Sequence, residues 1–310
     1  MEVIRTENLT KRFPIGLGLK SIIALNNLNL TLYKGETFGF LGPNGAGKTT
    51  TIKLLLGLIF PTSGRGFIFG RPIGNNAAKE KIGFLPENPA FYEYLTSGEY
   101  MNLSAQLLGI PHRERNKKIE YLLGTVGISK FKDMQLRKFS KGMLQRLGIA
   151  QALINDPELI ILDEPMSGLD PIGRKEVRNI ILHLKDEGRT IFFSTHILAD
   201  VELICDRVGI LQKGQLVLEK RLDEILEFHL NSFEIVISGL DEKIVEEIKK
   251  YGESVLVKDN KLFITTLAGE NKEKILSIIF KNGGNLLSMI PQRESLEDFL
   301  VKDIWQKEEL

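Results

Sequence analysis

Cysteine is nearly absent from this chain: Cys205 is the only one in 310 residues. One thiol excludes a disulfide framework, as expected of a reducing compartment, and its neighbours suggest packing on a helix more than reactivity. An excess of either charge is also missing. The 41 Lys and Arg are matched by 40 Asp and Glu, which argues against nucleic acid or another polyanion as the main partner. No apolar run approaches the ~18–20 residues of a membrane span, and the first residues do not read as a signal peptide. The chain is expected to be soluble by itself, with any membrane-spanning part on another polypeptide. Its length suits a larger α/β domain followed by a small one.

What the chain does have centres on residues 42–50. Gly42, Pro43, Asn44, Gly45, Ala46, Gly47, Lys48, Thr49 and Thr50 fit the pattern G-x-x-x-x-G-K-[ST], preceded by apolar 37–41 and followed by helix-patterned 50–56. That is the strand–loop–helix context of a phosphate-binding loop. Gly42, Gly45 and Gly47 let successive N–H groups converge on a phosphate, and the helix adds its positive dipole end. Lys48 suits the β- and γ-phosphates, and the Thr49 hydroxyl suits Mg²⁺. A glycine turn that happens to hold a lysine is the plainer reading, and the flanking strand and helix argue against it.

Alternation predicts strands over 2–9 and 22–33, with a Gly-rich mobile loop at 16–20. Phe13 lies between them and could stack on a purine or simply fill the core. Residues 61–64 are expected to end the helix after the phosphate loop, and 67–69 and 82–85 to form strands. Thr96 and Glu99 form a capping box before a helix through 108. Helical patterns at 113–126 and 141–154 make 88–155 an inserted helical subdomain. The apolar run 159–162 reads as a central parallel strand, with Asp163 and Glu164 at its C-terminal end, where open α/β sheets place their chemistry. A helix over 171–186, a buried strand over 190–193 leading to Ser194, Thr195 and His196, and a hairpin over 208–219 complete the larger domain.

From about residue 222 the pattern changes. Strands at 233–237, 254–257, 262–266 and 286–290 alternate with helices at 242–250 and 271–280. That order, βαββαβ, is that of a small ferredoxin-like α+β domain. A closing helix is expected from Ser295, and no catalytic constellation is evident after 222.

Five elements then agree in order: the phosphate loop, residues 160–165, Ser167 to Asp170, residues 139–146 around Ser140 and Gly142, and Ser194 to His196. Together they resemble the ATP-binding subunit of an ABC transporter, over roughly residues 1–220. The resemblance implies a P-loop cassette with a mixed sheet, the inserted helical subdomain and the accessory domain at 222–310. It implies that Asp163 binds, through water, the Mg²⁺ that Thr49 holds, that Glu164 is the general base, and that His196 contacts the γ-phosphate. Phe13 would stack on adenine. Ser140 and Gly142, at a helix start, would belong to the signature motif, and Asp170 to the loop that crosses between protomers. Taken singly, Ser140 could be only a helix cap and His196 one of four ordinary histidines.

Three positions depart from the usual pattern. Glu87 stands where a glutamine commonly meets Mg²⁺ and the membrane partner, Lys141 replaces the first signature glycine, and Met143 replaces a glutamine. These variants resemble the branch serving exporters with separate membrane subunits. The resemblance implies ATP and Mg²⁺ as cofactors, a second cassette as partner in a homodimer or heterodimer, and a permease on another chain. The expected location is the cytoplasmic face of the membrane, and no nucleic acid is expected. The rival is a cassette ATPase working on ribosomes or DNA. Only one phosphate loop is present, and about ninety residues separate it from Phe139, too few for a long coiled coil.

Overall fold

The computed structural model describes residues 1–15, 20–227, 232–258, 261–267 and 269–292. Of the loop expected at 16–20, residues 16–19 lie outside them and Lys20 begins a strand; the closing helix expected from Ser295 also lies outside them. Contacts divide the chain into two compact units, Met1–Leu222 and Asp223–Leu310.

The first unit opens with a long antiparallel hairpin, β1 (Glu2–Ile15) and β2 (Lys20–Tyr33). Both strands run further than alternation indicates. Register shifts between Thr6 and Leu9, Leu9 and Lys11, and Lys11 and Arg12 break the period-two pattern, and Asn8 has a positive φ of 47°. Next come β3 (Thr37–Leu41), α1 (Lys48–Leu55), β4 (Ser63–Ile68) and the two-residue β5 (Arg71–Pro72). Residues 63–64 therefore begin a strand instead of ending α1, and that strand stops before Phe69, whose φ is 51°. The helices α2 (Asn76–Lys79), α3 (Ser97–Leu107), α4 (His112–Thr125) and α5 (Lys141–Ala152) surround β6 (Ile82–Leu85) in the sequence. Thr96 and Glu99 make the reciprocal capping box at the start of α3.

β7 (Leu159–Asp163), α6 (Pro171–Asp186), β8 (Thr190–Thr195), α7 (Leu198–Ile204), β9 (Arg207–Gln212) and β10 (Gln215–Arg221) follow, and α8 (Leu222–Glu227) begins at the last residue of the unit. A six-stranded sheet has the order β10-β9-β3-β8-β7-β6, parallel except for β10. β3, β7 and β8 are buried at every position, because helices and a second sheet cover them. The second sheet, β2-β1-β4-β5, is antiparallel. One apolar core joins the two sheets through Ile4, Leu30, Phe38, Phe40, Ile52 and Phe192, and the Phe38 and Phe192 rings stack at 5.8 Å. Arg207 braces the same region, donating to the Thr31 carbonyl at 3.2 Å and to Glu36 at 2.9 Å and pairing with Glu219.

Cys205 follows α7 and is buried; burial pushes its thiol pKa well up. A Cβ on Gly39 would come within 2.6 Å of its sulfur, so a glycine on β3 makes the room for the chain's one thiol.

The second unit has β11 (Ser232–Ser238), α9 (Glu242–Ile248), β12 (Ser254–Lys258), β13 (Lys261–Leu267), α10 (Glu270–Lys281) and β14 (Asn285–Gln292). Its antiparallel sheet runs β12-β13-β11-β14, the βαββαβ order read from the sequence. Ile235, Ile237, Ile264, Ile275 and Ile279 form a core of its own. Among the described residues no helix is long and apolar enough to cross a membrane.

Candidate functional site

β3 and β8 pair in register, so their C-terminal ends open at one level of the sheet. The chain leaving β3 is pinned there: the Gly42 amide donates to the Thr195 carbonyl at 3.2 Å. The turn of the β9–β10 hairpin pins the other side, with the Gly214 amide donating to the Ala46 carbonyl at 2.9 Å. Gly47, with a φ of 113°, is the N-cap of α1, and a Cβ there would sit 2.4 Å from the Ala24 carbonyl oxygen. Only glycine fits. No side chain caps α1, so the N–H groups of its first turn remain to bind an anion, with the helix dipole behind them. They border a cavity of about 300 Å³ lined by Asn44, Gly45, Gly47, Lys48, Thr49 and Thr50, with Ala24, Glu87 and Glu164.

Four polar side chains buried around that cavity are locked to one another. The Lys48 ammonium donates to the carbonyls of Gly42 at 2.6 Å and Pro43 at 3.2 Å. It also pairs with Glu164 Oε1 at 3.1 Å, at an angle that leaves this oxygen without a hydrogen-bond donor. His196 Nδ1 lies 2.8 Å from Glu164 Oε2, and a carboxylate acceptor favours the tautomer with the proton on Nδ1. The Asp163 Oδ1 oxygen accepts from Ser194 Oγ at 2.6 Å and from Thr49 Oγ1 at 3.4 Å. Burial raises the Asp163 pKa, and the bonds from Ser194 and Thr49 oppose that rise.

Glu164 is bent out of the strand. Its φ is 48°, a left-handed backbone that costs a side-chain-bearing residue about 1–3 kcal/mol, and such strain concentrates at functional sites. The bend turns the carboxylate between Lys48 and His196, while its amide donates to Ser194 Oγ at 3.0 Å.

The structure thus brings Lys48, Thr49, Asp163, Glu164 and His196 together, with Glu87 exposed on the cavity wall. Ser140, Gly142, Asp170 and Phe13 do not line this cavity. Ser140 caps α5 by accepting from the Met143 amide at 3.3 Å, and Asp170 caps α6 by accepting from Gly173 at 2.7 Å. Gly142 lies beside the start of α6: a Cβ on it would meet the Gly173 Cα at an ordinary contact distance of 3.7 Å. Phe13 is 39 % exposed on β1, with the Lys11 ammonium 5.1 Å from its ring centre. Sequence reasoning gave no role to Ser194 or to Asp200. Asp200, on α7, is fully buried with Oδ2 unbonded; burial raises its pKa, against the charges of Arg174, Arg178 and His196. An acidic residue four positions after His196 was the one available signal.

Comparison with known proteins places the chain in a family. The sequence pattern of the ABC transporter family matches residues 25–167. An ABC transporter ATP-binding protein of Nostoc sp. is 46% identical over 309 residues, covering 99% of this chain and 91% of that one. The bacitracin transport ATP-binding protein of Bacillus licheniformis is 38% identical over 305 residues, covering 97% and 96%. Among solved structures, a dimeric ATP-binding cassette in a post-hydrolysis state with ADP and Pi superposes with a TM-score of 0.64 at 26% identity, covering 71% of this chain and 98% of that one.

Proposed function

This chain belongs to the ATP-binding subunits of ABC transporters, an ATP-hydrolysing family, and from that premise we propose how its cleft works and what it works with. The amides of Asn44, Gly45, Ala46, Gly47 and Thr50, with Lys48, hold the phosphates of ATP, and Phe13 stacks on adenine. Thr49 would ligate Mg²⁺ and Asp163 would hold it through water, and Glu87, on the cavity wall, would supply a further oxygen. Among the described residues no group of three or more His, Cys, Asp or Glu could hold a metal ion. A donor set of one hydroxyl and one carboxylate suits Mg²⁺, which takes its other ligands from phosphate and water. When bound, the ion neutralises charge on the phosphate oxygens.

Glu164 is the general base. Its carboxylate accepts a proton from water as the water oxygen bonds to the γ-phosphorus, the bond to the β-phosphate oxygen breaks, and ADP and phosphate leave. Lys48 stabilises charge on the transferring group, and His196 fixes the carboxylate through Oε2. The observation that carries this reading is the bent, buried Glu164 held between Lys48 and His196 beside the uncapped end of α1.

We further assign Ser140, Gly142 and Asp170 to a second cassette's ATP. They stand at the starts of α5 and α6, away from their own chain's cavity, and the start of α5, where the Ser140 cap takes the Met143 amide alone, suits a γ-phosphate. Two cassettes, identical or not, would close on ATP and part after hydrolysis, moving a permease on a separate chain through the loop at Glu87. The B. licheniformis relative is named for bacitracin transport, which favours an exporter, with this chain on the cytoplasmic face of the membrane. The residues after 222 form an accessory unit outside the chemistry.

The test is Glu164→Gln. It should bind ATP normally, lose hydrolysis by about 10²–10⁴-fold, and collect as an ATP-bound dimer in light scattering. A wild-type rate would refute the base assignment, and a monomer with ATP and Mg²⁺ would refute the two-cassette site.

A further inference from the structure

Asp163 and Ser194 are paired residues on neighbouring parallel strands, β7 and β8. Paired residues in a parallel sheet present their side chains on one face, about 4.8 Å apart, within reach of a single hydroxyl. Ser194 is fully buried, so no water can replace it. Its Oγ donates its one proton to Asp163 Oδ1 at 2.6 Å and accepts the Glu164 amide proton at 3.0 Å. Both bonds are satisfied at once, and each polarises the hydroxyl in the sense that strengthens the other.

We propose that Ser194 is a positioning residue for ATP hydrolysis: it holds the carboxylate of Asp163 and the bent backbone of Glu164 in fixed relation to each other. The proposal rests on the reading of Glu164 as the base.

The argument turns on what keeps Glu164 in a left-handed conformation. A bulky residue at a φ of 48° persists only where its surroundings over-determine it. Lys48 and His196 grip the side chain, whereas Ser194 grips the backbone. Without the hydroxyl, the Glu164 amide is left buried and unbonded, a loss that relaxation of φ toward the strand region relieves. That relaxation carries the carboxylate away from its place beside the water. The Ser194 hydroxyl bonds Asp163 and the Glu164 amide, whereas Lys48 bonds the Gly42 and Pro43 carbonyls and Glu164, so the phosphate-binding contacts of the loop are kept. The effect therefore falls on the chemical step.

Alanine, threonine and cysteine at 194 separate this role from a structural one. In the full chain, with MgATP, Ser194→Ala should lower kcat by on the order of 10- to 100-fold, the scale set by ångström misplacement of a catalytic group. KM should stay within about threefold, since binding contacts are kept. Ser194→Thr, which keeps the hydroxyl, should restore most of the rate; Ser194→Cys, with a weak donor, should behave like alanine and serves if the alanine variant does not fold. A wild-type kcat in a folded alanine or cysteine variant overturns the proposal. So does a loss that appears equally in KM and melting temperature and is not recovered by threonine. Glu164→Gln belongs in the same assay. If it too hydrolyses at the wild-type rate, the base reading has failed and this one with it; if it is slow while Ser194→Ala is fast, only the role of Ser194 is wrong.

Discussion

Two cavities, one in each unit, make an instructive pair. The one at the phosphate loop is about 300 Å³ and the one in the accessory unit about 420 Å³. The larger is the chemically poorer. Ile237, Leu240, Val245 and Leu262 line it, and its charges, Glu246 and Lys249, pair with each other at 2.5 Å out in solvent. The smaller has Lys48 and Glu164 in its wall, with Asp163 and Ser194 behind them, all buried. Among the described residues the accessory unit buries one polar side chain, Thr266. Buried charge held by neighbouring groups marks the candidate site here; volume does not. Charge is costly to bury, and the cassette retains it where phosphate chemistry uses it.

Lys48→Ala should break this comparison most severely. Removing the ammonium takes away charge-assisted bonds to phosphate and should weaken ATP binding by on the order of 10²-fold or more. Lys249→Ala at the other cavity should leave it within about twofold, and isothermal titration of both variants with ATP decides the matter. A core substitution comes next. Ile264→Ala should destabilise the accessory unit by about 2–5 kcal/mol, since Ile264 is fully buried there. Denaturant melts should show a unit unfolding early while ATP affinity is unchanged; a matched fall in affinity would mean that the units do not divide the labour.

A smaller effect tests packing under the phosphate loop. Gly39→Ala should cost about 1–3 kcal/mol, because its methyl would meet the Cys205 sulfur. Adding Cys205→Ala should recover part of that in a thermal double-mutant cycle, and strict additivity of the two would argue against the contact.

The least effect is expected from Asp200→Asn. The Asp200 pKa is raised by burial, so the folded state binds a proton more readily than the unfolded one. Its contribution to stability is therefore fully present below the unfolded pKa and is lost as pH rises through the folded value. Asparagine does not titrate, so at neutral pH the variant should melt no lower than wild type, with a difference of about 1 kcal/mol or less. The gap should shift in favour of wild type as the pH falls from neutral through the raised value. A pH-independent gap between the two melting temperatures would count against a titrating Asp200.

The contrast between the units also explains what was legible in the sequence. β7, α6 and the capping box of α3 are written locally, in an unbroken apolar run, a Pro after Asp170, and a Thr with a Glu three residues on. The phosphate loop is equally local. The full length of β1 was hidden by bulges, because each extra residue inverts the alternation that identifies a strand. α7 was hidden by its brevity: seven residues give Val201 and Ile204 one chance to show a helical period. The bend at Glu164 and the hydroxyl beneath it depend on which residue of β8 stands opposite Asp163. No stretch of sequence states that register.

The position of β3 in its sheet also bears on how the protein is made. β3 ends at Leu41, yet its two neighbours, β8 and β9, are residues Thr190–Thr195 and Arg207–Gln212. The hairpin turn that clamps Ala46 is later still, at Gly214. On a ribosome adding roughly 5–20 residues per second, the strand that feeds the phosphate loop waits on the order of ten to thirty seconds for a partner. Through that interval a mostly apolar strand edge is open to other chains, the condition under which nascent proteins aggregate or are held by chaperones. The nucleotide site is encoded early and completed late.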